Sequence, residues 1–72
     1  MSALQSLMQT KTLNRSCALN DYVEFRSKFM ENHGIPAKKG TIVDRQESFA
    51  FNGIYFVIRC DDENEEITVF LT

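Results

Sequence analysis

The chain has 72 residues, 43% of them hydrophobic and 25% charged, which excludes disordered and fibrous classes and allows one domain at most, over residues 1–72. Doubly wound sheets and barrels with a catalytic cleft need more chain than this. Eight Lys and Arg against ten Asp and Glu give a formal charge of −2, so the molecule as a whole is not a cation built to coat nucleic acid.

The start of the chain has neither the basic opening nor the continuous apolar core of a secretory signal, and no apolar run approaches the roughly 20 residues that span a bilayer. A cytoplasmic protein with no membrane partner is expected. Ser2 and Gln5 form a capping box that predicts a short helix over about residues 3–10, with Leu4, Leu7 and Met8 on one face. Residues 11–16 lack periodicity and read as a connector.

Between Ser16 and His33, at 100° per residue, Leu19, Tyr22, Val23, Phe25, Phe29 and Met30 fall within an arc of about 160°. This predicts a long amphipathic helix over about residues 17–33, capped by Ser16 or Asn20. Its stop is written in Gly34-Ile35-Pro36: a left-handed glycine, an apolar residue folding back onto Met30, and a proline that cannot continue the helix. Arg26 falls in the middle of the apolar arc, where it packs its stem and carries its guanidinium outward or anchors an interface. His33 is expected to meet the carbonyl end of the helix.

After Lys38-Lys39-Gly40 the period becomes two. Thr41-Ile42-Val43 begins a strand and Ser48–Phe51 forms or continues one. Asn52-Gly53 suits a tight hairpin turn, Ile54–Cys60 is a strand, residues 61–66 form an acidic loop, and Ile67–Thr72 is the last strand. The expected fold is α+β, with N-terminal helices at about 3–10 and 17–33, then a three- or four-stranded antiparallel meander over about 41–72, the long helix packed on one sheet face.

One helix leaves the other face uncovered. Ile54, Phe56, Ile58 and Cys60 point one way and Tyr55, Val57 and Arg59 the other, with Phe70 on the second side of the last strand. The cover could be the N-terminal helix, a second copy of the chain or a different protein. Charge is divided as well: residues 1–40 carry +3 and residues 41–72 carry −5. The interface predicted from this places Tyr55, Val57 and Phe70 as apolar anchors, Arg59 as a central polar contact, and Asp61, Asp62, Glu63, Glu65 and Glu66 as an acidic rim that attracts a basic protein partner.

No catalytic set, cofactor or metal is expected. Cys17, His33 and Cys60 stand one per element without metal or redox spacing, and both cysteines read as reduced, buried thiols. The run Gly34–Thr41 reverses the Gly-Lys order of a phosphate loop and follows a helix instead of a strand. Lys39–Val43 with Tyr55–Arg59 loosely resembles entries into small SH3-like barrels. Such barrels need about five strands, the chain reads as three or four, and no family follows. The composition therefore points to a non-enzymatic protein-interaction module, an adaptor or inhibitor. The alternative is a nucleic-acid-binding domain, with Lys11, Arg15, Lys38 and Lys39 as phosphate contacts and Tyr55 and Phe70 stacking on bases.

Overall fold

The computed structural model describes residues 10–61 and 65–72, so the helix expected at 3–10 lies almost wholly outside the described residues. The described chain forms a mixed five-stranded sheet with one short helix: β1 (Lys11–Thr12), β2 (Tyr22–Phe25), α1 (Lys28–Asn32), β3 (Lys38–Ser48), β4 (Gly53–Cys60) and β5 (Glu66–Leu71). The strands lie side by side in chain order, β1 parallel to β2 and all later neighbours antiparallel. The expected α+β fold, with a long helix at 17–33 packed on the sheet, is overturned.

The error lies in Tyr22-Val23-Glu24-Phe25. These residues fit a helical arc, but over four residues they fit a period of two equally well, and tyrosine, valine and phenylalanine favour a pleated surface. Pairing with β3 decides it: Val23 lies opposite Gly40 and Phe25 opposite Lys38, both apolar side chains buried and Glu24 exposed between them. Upstream the chain turns instead of coiling. Asn20 has φ +73°, and Ala18 and Asp21 bond each other twice, Asp21 N–H donating to the Ala18 carbonyl at 3.1 Å and Ala18 N–H to the Asp21 carboxylate at 2.9 Å.

The helix cap is Ser27, not Ser16 or Asn20. Its hydroxyl accepts from Met30 N–H at 3.2 Å, and its own N–H meets the Met30 sulfur at 3.5 Å. The stop is as the sequence predicts, with His33 as C-cap, Gly34 at φ +67° and Ile35 N–H donating to the Met30 carbonyl at 2.8 Å.

The meander is also redrawn. Lys38–Ser48 is one strand, with its register against β4 slipping by a residue at Val43. Asn52-Gly53 is not a two-residue turn: Ser48 pairs with Gly53, and Phe49–Asn52 make a four-residue loop with Asn52 at φ +52°. Gly53 serves close packing, since a Cβ there would sit 2.7 Å from both the Leu71 carbonyl oxygen and the Phe70 ring. Gly40 has a parallel role, because a Cβ would run into the Arg59 carbonyl across the ladder.

Alternation in β4 survives all this. Ile54, Phe56, Ile58 and Cys60 are buried and join Val23, Phe25, Ile42 and Val69 from the other strands, Met30 from α1 and Cys17 from the β1–β2 connection. Cys17 and Cys60 are both buried. No helix among the described residues is long and apolar enough to cross a membrane.

Candidate protein interface

Strand registers lay out the outer face in three rows. Gln46, Tyr55 and Phe70 form the row nearest the β3–β4 hairpin loop, Asp44, Val57 and Thr68 the middle row, and Thr41, Arg59 and Glu66 the row at the other end. Tyr22 extends the last row across Thr41. The predicted anchors Tyr55 and Phe70 are thus cross-strand partners. Tyr55 and Val57 are half-buried and Phe70 is 48% exposed.

The hairpin loop extends this apolar surface with two residues that the sequence reading assigned to a strand. Phe49 is 94% exposed and Phe51 71% exposed, and Phe51 meets Phe70 edge to face with centroids 6.4 Å apart. Phe49 borders a shallow pocket with Arg15, Glu47 and Asn52. The available signal was the aromatic pair directly before Asn52-Gly53, which is turn-adjacent in any hairpin.

The predicted acidic residues do not ring these anchors. Asp61, Glu65 and Glu66 gather at the far end of β4 and β5, whereas Asp62 and Glu63 lie outside the described residues. Much of their charge is met locally. Arg59 donates to Glu66 at 2.8 Å, Lys38 lies 3.7 Å from Glu65, and the Tyr22 hydroxyl donates to Asp61. Arg59, expected as a central contact, is therefore held by its own strand neighbour.

The four candidate phosphate contacts do not converge. Lys38 and Lys39 point to opposite faces, Lys38 opposite Phe25 and Lys39 opposite Glu24. Lys11 is bound to Asp21 at 3.2 Å, and Arg15 reaches the Asn52 carbonyl at the hairpin end, the far end of β3 from Lys38. The Asp21 carboxyl is held below the ordinary carboxylate range, chiefly by the Ala18 amide and then by Lys11.

Arg26 and His33 have structural posts. Arg26 is exposed and its Nε donates to the Ile35 carbonyl at 2.7 Å, tying β2 to the segment after α1. His33 Nδ1 lies 2.9 Å from the Phe29 carbonyl, and the two rings stack 4.1 Å apart. Among the described residues no three His, Cys, Asp or Glu side chains are placed to hold a metal ion. Compared with protein-family models, with curated proteins and with solved structures, the chain matches none.

Proposed function

We propose that the chain is a non-enzymatic protein-interaction module, an adaptor or inhibitor, whose contact surface runs from Phe49 and Phe51 at the hairpin loop onto Phe70 and Tyr55. The observation that carries this reading is the exposure of Phe49 and Phe51 in one four-residue loop. Fully burying a phenylalanine side chain is worth roughly 1.5–3 kcal/mol, and a cluster of aromatics left in water on so small a domain is the composition of an interface centre. The acidic end, supplied by Asp61, Glu65 and Glu66, orients a basic partner at a distance through the field that remains after local pairing.

Nucleic acid is the weaker reading, because its cations are dispersed over two faces and two ends of the sheet and two of the four are ion-paired. A photoreactive phenylalanine at position 49, with the same group at the exposed Lys28 as control, tests the proposal in the source cells. Discrete protein adducts are expected from position 49 and not from 28, and substituting Phe51→Asp should reduce them. Absence of adducts, together with salt-sensitive binding of a mixed oligonucleotide pool, would overturn it.

A further inference from the structure

We propose that β5 is an assembly edge, and that its partner is β5 of a second copy of this chain, paired antiparallel about Val69. This rests on reading the chain as an interaction module and names one partner for it. β5 is the last strand in the sheet order, and among the described residues nothing pairs with its outer side.

The ladder shows which groups that side offers. Cys60 N–H donates to the Glu65 carbonyl at 2.7 Å, which makes those two a hydrogen-bonded pair. Antiparallel ladders alternate, so in the register Ile58↔Ile67, Phe56↔Val69 and Ile54↔Leu71 the odd-numbered residues of β5 spend their backbone groups on β4. Glu66, Thr68 and Phe70 turn their N–H and C=O groups to the open edge. Within its own six residues β5 has no proline, no Lys or Arg and no register break, and its one charged side chain is Glu66.

The two-fold register about Val69 follows from what lies beside the edge. It sets Thr68 opposite Phe70 of the second copy on the outer face, Val69 on the partner's Val69, and Ile67 opposite the partner's Leu71 on the inner face. Ile67 and Leu71 are only partly buried at the core margin, and each would gain cover. A groove of about 320 Å³ lies between α1 and this edge, lined by Phe29, Met30, Ile35, Ile67, Lys38 and Glu65 among others. The partner's Leu71, brought opposite Ile67, would enter it and occupy part of its volume. Extended-strand addition draws affinity from main-chain bonds and specificity from such a pocket. The one charged side chain on β5, Glu66, bonded to Arg59, comes opposite Thr72 of the second copy, so no like-charged side chains face each other.

The test follows wild-type protein by sedimentation from micromolar to millimolar concentration, with amide hydrogen exchange read residue by residue. A dimer is expected in which the Thr68 and Phe70 amides become protected as concentration rises, while those of Ile67, Val69 and Leu71 are protected throughout. Thr68→Pro removes an outward N–H without touching the β4 ladder and should weaken association by about tenfold or more. The double variant Phe49→Asp with Phe51→Asp should still dimerise. A strict monomer overturns the inference, whether or not its Thr68 amide is protected, and leaves the wider reading to the crosslink at position 49. A dimer lost in the hairpin-loop variant but kept in Thr68→Pro also overturns it, and moves self-association to the aromatic loop.

Discussion

The two edges of this sheet are finished in opposite ways. β1 contributes two exposed residues, runs parallel to its neighbour, and has Lys11 held by Asp21. β5 contributes six residues with apolar side chains on both faces and no cation. A short edge carrying a cation gives another strand little to pair with, whereas a long cation-free one offers a template. β5 also reaches deeper, placing Val69 in the core while both residues of β1 are exposed, so the contrast is one of depth as well as of surface chemistry.

The most damaging change removes the shared support. Phe56 is fully buried, paired with Arg45 on one side and Val69 on the other. Phe56→Ala should cost about 3–5 kcal/mol, much of the stability of so small a domain, and in urea unfolding both edges should melt together. Val69→Ala should cost less, about 1–3 kcal/mol, and act unequally: amide protection on β5 should fall while that between β1 and β2 stays nearer the wild-type level. Equal loss at both edges would show that β5 has no separate stability to lose.

A third change makes the edges alike. Thr68 is exposed on the outer face, and Thr68→Lys gives β5 the cation that β1 already has. The monomer's unfolding free energy should change by no more than about 0.5 kcal/mol, since the site is a surface one. Self-association, measured by sedimentation, should fall. A variant that dimerises as wild type does would mean that edge charge is not what separates β1 from β5.

The part of the chain nearer β5 was the more legible. Ile54–Cys60 alternates over seven residues, long enough for a period of two to declare itself, and its inward set is the buried set observed. The stop at Gly34-Ile35-Pro36 was equally clear, because each residue excludes alternatives by backbone geometry. Nearer β1 the signal failed. Val23 and Phe25 owe their strand to Gly40 and Lys38, seventeen and thirteen residues away, and no local pattern records that pairing. Ser27 lies inside the span that reads as one helix from Ser16 to His33, and no break in periodicity marks it as a cap. Of the proposed contact surface, Tyr55 and Phe70 follow from alternation along β4 and β5, whereas Phe49 and Phe51 sit in a four-residue loop where Asn52-Gly53 alone suggests a two-residue turn. Gly53 is needed where β5 approaches, a contact between distant residues.

The smallest effect concerns the clasp at the β1 edge. Asp21 takes a bond from the Ala18 amide and another from Lys11, and the first contributes more to lowering its pKa. A carboxyl whose folded pKa lies below its unfolded value near 3.8 adds stability above that value and loses it as pH falls through the folded pKa. Asp21→Asn keeps an oxygen for Ala18 but removes the charge, so the variant's urea midpoint should lie slightly below wild type at neutral pH and converge with it well below pH 4. Because Lys11 is exposed, added salt should screen its share and leave the larger contribution of the Ala18 bond. A gap that persists unchanged into strong acid would mean that the turn's shape, and not the carboxylate charge, holds β1 in place.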